Sequence, residues 1–322
     1  MRLRFIFVAV AILMSQPHQV RAEDFPNKTI RLVVPTGPGG AADFVSRLIA
    51  EKMQVSLGQP IVVDNRPGAN GIVGATAVLS APADGYTLMM GHIGLMTINS
   101  HIYKGMKFDP LVDFVPVTRG VTYINVLVVN NAMPVHSVKE LIKYAKDNPG
   151  AMSYSSSGFG ASFHMAFELL KSEADIAAVH VPYTGTAHAV TAVMSGDVNV
   201  AFIDALTIAP HVAAKTVRAI AVSGATRSPM FPDLPTVAEA GVPGFDVVGW
   251  NGIVVKAGTP PERIALLNKH IRLALEAPDV IKRISEQGAE VAAGSPEEFG
   301  AFMRNEDNKW GNLATKAKLE AK

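Results

Sequence analysis

The residues best placed to do chemistry are small ones. Thr36-Gly37-Pro38-Gly39-Gly40-Ala41 stands between an apolar, β-branched run, Ile30–Val34, and an amphipathic run from Ala41 to Lys52. Strand, glycine loop and helix start together leave free backbone N–H groups and the positive end of a helix dipole converging on one point, which is an anion site. Gly37-Pro38-Gly39-Gly40-Ala41-Ala42 matches G-x-G-x-x-A, and Asp64 closes the next strand-like run, as in a dinucleotide fingerprint. The alternatives are another anion or a purely structural turn.

The other reactive residues do not assemble into a catalytic set. No glycine lies two residues before any serine of Ser153–Ser157, so there is no nucleophile elbow. The nine histidines show no metal-ligand spacing, and no cysteine is present, so neither a metal nor a disulfide is expected. His164 and Glu168, four apart, read as a surface or capping pair. Asp204, at a strand exit, reads as a ligand-orienting acid or as the N-cap of the next helix. Asp43 suits the first turn of its helix and pairs with Arg47, and Trp250 suits either a cleft wall or the core.

At 322 residues, 48% hydrophobic and 18% charged, the chain is a well-packed protein large enough for two domains. Arg2 and Arg4 precede an apolar run, Phe5–Met14, too short to span a bilayer, and Val20-Arg21-Ala22 supplies a cleavage site. Residues 1–22 therefore read as a signal peptide cut after Ala22. Loss of its three arginines takes the formal charge from +1 to −2, which offers no field for nucleic acid. Export also removes the chain from nicotinamide cofactors, and no cofactor is expected.

These residues are positioned by an α/β pattern. Strands are expected at Gln59–Asp64 and Tyr86–Met90, the latter followed by a Gly91–Gly94 loop, and twice within Val115–Val129 with Thr118-Arg119-Gly120 between. Alternation of strands with helices predicts parallel sheets, with ligand loops at the strands' carboxyl ends. A second such unit begins at Ser137, whose capping box with Glu140 opens a helix. It continues through Met152–Ser156, the loop Ser155–Gly160, a helix from Ala161, a strand at Ala178–Val181 and another at Val198–Ile203. A short helix is expected at Val237–Ala240. Thr259-Pro260-Pro261-Glu262 and Ser295-Pro296-Glu297-Glu298 read as capped starts of C-terminal helices.

Seven segments in this order resemble the extracytoplasmic solute receptors of tripartite tricarboxylate transporters, the Bug family. They are PTGPGGAAD (35–43), NRPGANGIVG (65–74), PADGYTL (82–88), SSSGFGASFH (155–164), VPYTG (181–185), RSPMFPDLPTVAEAGVPGF (227–245) and WNGIVVKAGTPPE (250–262). The resemblance implies a type II periplasmic-binding-protein fold, with two α/β domains closing on a ligand. Residues 23–124 and 225–322 would form one domain and 125–224 the other, with crossings near Tyr123–Val126 and Ser223–Arg227. It implies a monomeric periplasmic receptor, not an enzyme, that passes a small carboxylate to membrane permease subunits. The ligand is expected to be a di- or tricarboxylate or an aromatic acid. An exported α/β enzyme acting on a carboxylic acid is the alternative.

The candidate ligand-binding set is Thr36, Gly37, Pro38, Gly39, Gly40, Ala41 and Asp43 in the first half. In the second it is Ser155, Ser157, Gly158, Gly160, Ser162, His164, Tyr183, Gly185 and Asp204. The chain departs from the family at Thr36, where an aromatic residue is frequent, at Thr184, where a basic one is, and at His188, where proline is common. A shorter wall at Thr36 would admit a bulkier acid.

Overall fold

The computed structural model describes residues 25–320, so the expected signal peptide and its cleavage site lie outside the described residues. The chain begins with β1 (Ile30–Val34), α1 (Ala41–Leu57), β2 (Ile61–Asn65), α2 (Ile72–Leu79) and β3 (Thr87–His92). A π-helical turn, Gly94–Ile98, leads to α3 (Asn99–Ile102), α4 (Pro110–Asp113) and the long strand β4 (Phe114–Val129). The second unit holds α5 (Val138–Asp147), β5 (Ser153–Ser156), α6 (Ser162–Ala174), β6 (Val179–Pro182), α7 (Thr186–Ser195), β7 (Val200–Asp204), α8 (Ala205–Ala213) and β8 (Arg218–Val222). The chain ends with β9 (Val248–Lys256), α9 (Pro261–Leu275), α10 (Pro278–Ser285), β10 (Ala289–Val291) and α11 (Pro296–Lys316).

The expected parallel pairing holds among β1, β2 and β3 and among β5, β6 and β7, while β4, β8, β9 and β10 pair antiparallel. β1 pairs in parallel with β2 and β3, and β5 in parallel with β6 and β7. β9 and β4 are antiparallel insertions that join the two sets in the order β2-β1-β3-β9-β4-β7-β5-β6. β4 belongs to both halves: Phe114–Ile124 pairs with β9, and Asn125–Val129 pairs with β7. It is one strand where the sequence suggests two. The anticipated break around Thr118–Gly120 is absorbed as register shifts between Pro116 and Thr118 and between Arg119 and Val121.

Helix ends follow local chemistry. Gly58 caps α1 in the left-handed conformation, so the helix runs past Lys52 to Leu57. Ser295 and Glu298 form the capping box of α11. At α9 the expected box is absent, because Thr259 donates its hydroxyl to the Lys256 carbonyl and Pro260 occupies the N-cap. At α5, Ser137 caps Glu140 N–H, while Glu140 accepts from His136 N–H instead of Ser137. Gly91 belongs to β3 and Gly94 to the π-helical turn, so the expected Gly91–Gly94 loop is not a loop.

The segment between β8 and β9 stays with the second half. Val237 N–H bonds to the Val222 carbonyl, and Phe245 stacks on Phe202 at 5.8 Å. Residues 237–240 form turns, not the expected helix. The chain next pairs with the first sheet at β9. Ser223 fastens both crossings: its Oγ accepts from Asn125 N–H (2.9 Å) and donates to the Val247 carbonyl (2.5 Å). One core lies between α1, α9, α10 and the first sheet, and the other runs from α11 and the π-helical turn into the second half. Trp250 is fully buried there, its indole N–H on Glu306.

Candidate functional site

Tyr123 on β4 lies between the start of α1 and the exit of β7. Its ring lies over Gly249, where a Cβ would sit 2.1 Å from it, so glycine makes room for the ring. Tyr123 shares a cavity of about 10 Å³ with Ala41 at the start of α1 and Asp204 at the exit of β7. Ser162, at the start of α6, lies near enough to Tyr123 to oppose the effect of burial on its phenol. Ala41, Ser162 and Asp204, far apart in sequence, are thus gathered by a residue that the sequence reading placed only at a crossing.

In the first loop, Gly37, Pro38, Gly39 and Gly40 are exposed. Asp43 is buried and engaged, contrary to its expected place in the ligand set. It accepts from Gly39 N–H (3.0 Å) and from both Nε and Nη2 of Arg47 (3.1 and 2.9 Å). Burial alone would raise its carboxyl, but the bonds from Arg47, Gly39 and Asn65 outweigh that and hold it below the usual carboxylate range. Asp43 therefore ties down its own loop and takes up one amide. Gly40, with φ −87°, is the helix N-cap without any side-chain cap, and the first amides of α1 beyond it have no helical partner. Thr36 Oγ1 is buried and unpartnered.

In the second loop the expected hydroxyl and imidazole donors are also engaged. Ser155 is fully buried and donates to the Ala189 carbonyl. His164 is buried, not a surface residue, and its Nδ1 accepts from Gly160 N–H (3.2 Å). Its ring stacks on His180 at 4.1 Å, and His180 Nε2 lies 2.7 Å from Ser156 Oγ, which in turn accepts from Gly158 N–H. Behind them Tyr154 donates to Glu168 Oε1 (2.5 Å), as does Lys171 (2.7 Å). Burial pulls both imidazoles down to about 3, so they are neutral supports. Ser157 is half-buried, and the α6 start again lacks a side-chain cap. Tyr183 borders Gly158, whose Cβ would lie 4.0 Å from its carbonyl, and Gly185 is the exposed N-cap of α7.

Asp204 does cap its helix, with Oδ1 accepting from Thr207 N–H (2.8 Å). Burial pushes its carboxyl up against the opposing bonds from Thr207. Burial and the Asp204 charge likewise raise the Tyr123 phenol. His92, ending β3, was missed by sequence reasoning. Its Nδ1 accepts from Leu95 N–H, leaving a buried Nε2 without a partner, and burial lowers it to about 4. The halves also touch directly: a Cβ on Gly94 would meet the Gly160 carbonyl at 2.9 Å, and Tyr103 donates to the Phe159 carbonyl. No group of three or more metal-ligating side chains occurs among the described residues.

Each half thus has a helix start without a side-chain cap, α1 in the first and α6 in the second. The family described as the tripartite tricarboxylate transporter family receptor matches residues 45–319. The chain belongs to that family. It is 37% identical over 315 residues to a Pseudomonas sp. (strain P51) UPF0065 protein of the tcbD-tcbE intergenic region, covering 98% of this chain and 94% of that one. It is 32% identical to Protein BugT of Bordetella pertussis, covering 98% and 97%. Among solved structures, R. palustris Rpa4515 with adipate superposes with a TM-score of 0.86 at 35% identity, covering 92% of this chain and 99% of that one. In this receptor family the fold is the expected two-unit α/β binding protein. The matching family is one of receptors, and the similar structures include a protein with adipate and the periplasmic binding protein BugD, so the exported-enzyme alternative finds no support there.

Proposed function

We propose that this receptor captures a small carboxylate in the periplasm, between the start of α1 and the start of α6, and delivers it to the permease subunits of a tripartite tricarboxylate transporter. The observation that carries the reading is the pairing of two helix starts without side-chain caps across Tyr123. Each presents unpartnered amides and a positive dipole end, so a carboxylate gains charge-assisted bonds without needing an arginine. The adipate held by the R. palustris relative supports this class of ligand.

Gly37, Gly40, Ala41, Ser157 and Ser162 contact the ligand in this reading, while Asp43, Ser155 and His164 hold the loops in shape. Residues 25–124 with the chain from β9 onward form one closing unit and the intervening chain the other, turning about the Ser223 fastening. The receptor works as a monomer, exported through a leader that ends at Ala22. Among the described residues no helix is long and apolar enough to cross a membrane.

Thermal unfolding against a panel of aliphatic and aromatic carboxylates tests the function. An acid at 100 times its dissociation constant adds about 2.7 kcal/mol, and mass spectrometry should recover it unchanged. Conversion of the acid, or a panel without any stabilising member, contradicts the reading.

A further inference from the structure

The cleft floor carries polar groups that the two loops do not explain. Asn125 is fully buried, and neither Oδ1 nor Nδ2 of its carboxamide has a hydrogen-bond partner. Native interiors rarely leave such a group unmet. The side chain is not needed to fasten the crossing, because the backbone does that: Asn125 N–H donates to Ser223 Oγ and its carbonyl accepts from Ser223 N–H.

Strand geometry says where the carboxamide stands. Alternation puts Val121, Tyr123 and Asn125 on one face of β4. Asp204 is the residue directly opposite Asn125 in the antiparallel pair with β7, which puts it on that face as well. Val121, Tyr123 and Asp204 line the small cavity between the halves, whose remaining wall includes Phe44, Leu206 and Ile284 and contains no lysine, arginine or histidine.

We infer that Asn125 and Asp204 read a part of the ligand other than its anchored carboxylate, and that this part is an uncharged hydroxyl. The inference rests on the carboxylate-receptor reading. A hydroxyl donates to Asp204 and accepts from the Asn125 Nδ2–H, which meets both groups at once. A second carboxylate would face Asp204 with no cation to offset the repulsion. A methyl end would leave the carboxamide unmet.

Calorimetry at pH 8 with three acids of equal chain length tests this: 6-hydroxyhexanoate, hexanoate and adipate. The unaltered protein should bind the hydroxy acid about tenfold or more tightly than either of the others. Asn125→Leu should erase the advantage over hexanoate while leaving hexanoate affinity in place. Asp204→Asn, which keeps a competent N-cap, should improve adipate relative to the hydroxy acid. A preference for adipate in the unaltered protein overturns the inference and leaves the receptor reading standing. So does an Asn125→Leu protein that weakens all three acids equally, or an Asp204→Asn protein with unchanged selectivity. Failure of all three acids to bind the unaltered protein overturns the carboxylate reading together with the inference.

Discussion

The two anion-facing loops share a design and differ in what stands behind them. At Gly37, Gly39 and Gly40 a Cβ would meet nothing within 4 Å, and the loop is fixed mainly by Asp43 on Gly39 N–H. At Gly160, with φ +77°, a Cβ would meet Ile102 Cδ1 at 2.6 Å, Asn70 Nδ2 at 3.1 Å and Asn99 Oδ1 at 3.2 Å. Behind that loop stands the stack of His164, His180 and Tyr154, with Glu168 and Lys171 closing it. One wall is thus open and tolerant of ligand shape. The other is prebuilt, and it also forms the direct contact between halves. On the proposed reading the rigid wall would set the position of the carboxylate, and the open wall would adapt to the rest of the ligand.

Substitution at the rigid wall should have the largest effect. Gly160→Val forces a branched side chain into left-handed backbone and against Ile102 of the other half. It should destabilise the fold by about 1–3 kcal/mol and lower ligand affinity more than about tenfold, because the halves can no longer meet. Denaturant melts and calorimetry check both, and an unaffected affinity in a folded Gly160→Val protein would show that the contact between halves is dispensable.

The open wall should separate binding from folding. Gly39 has φ +84° and would be strained by any side chain, whereas Gly40 at φ −87° is not. Gly40→Val should change stability by less than about 1 kcal/mol yet weaken binding by about 10- to 100-fold through occlusion of the α1 amides. Asp43→Asn, acting only on loop shape, should weaken binding less. Equal losses in the two variants would place Asp43 on the ligand after all.

A separate effect is on acid stability, and it falls mainly on the rigid wall. His164 and His180 are held at about 3 and His92 at about 4, all below the ordinary 6.5 of an unfolded histidine. Below pH 6.5 the unfolded chain therefore binds more protons than the folded one. Stability should be full above that pH and fall as the pH drops toward 3, by up to about 1.4 kcal/mol per pH unit for each histidine. Urea melts at pH 7 and pH 5 measure it. His164→Gln should flatten the difference, and a variant with an unchanged slope would assign the acid loss elsewhere.

Local chemistry explains which parts were legible in the sequence. The strand-loop-helix of residues 30–57, the Asp43–Arg47 pair and the Ser295 capping box rest on neighbours within a few residues, and all are present. Of Tyr123, Asn125 and Asp204, only Asp204 was singled out, since Asn125 reaches it through strand register from a distant segment and Tyr123 shares its cavity. Nor did a His164–Glu168 spacing reveal burial, because the residues that cover it, Tyr154 and His180, come from β5 and β6. Thr259 kept the composition of an N-cap but turned its hydroxyl to Lys256. Asp43 and Ser155 lie within the expected motifs, yet their side chains face inward onto their own loops.

The central claim is that one carboxylate bridges amides of both helix starts. A titration of uniformly ¹⁵N-labelled protein with a stabilising acid, adipate or 6-hydroxyhexanoate, followed by amide shifts, tests it most directly. The amides of Gly40, Ala41 and Ala42 should move together with those of Ser162 and Phe163, along one saturation curve. Movement at one helix start alone, with the other unchanged at saturation, would contradict it.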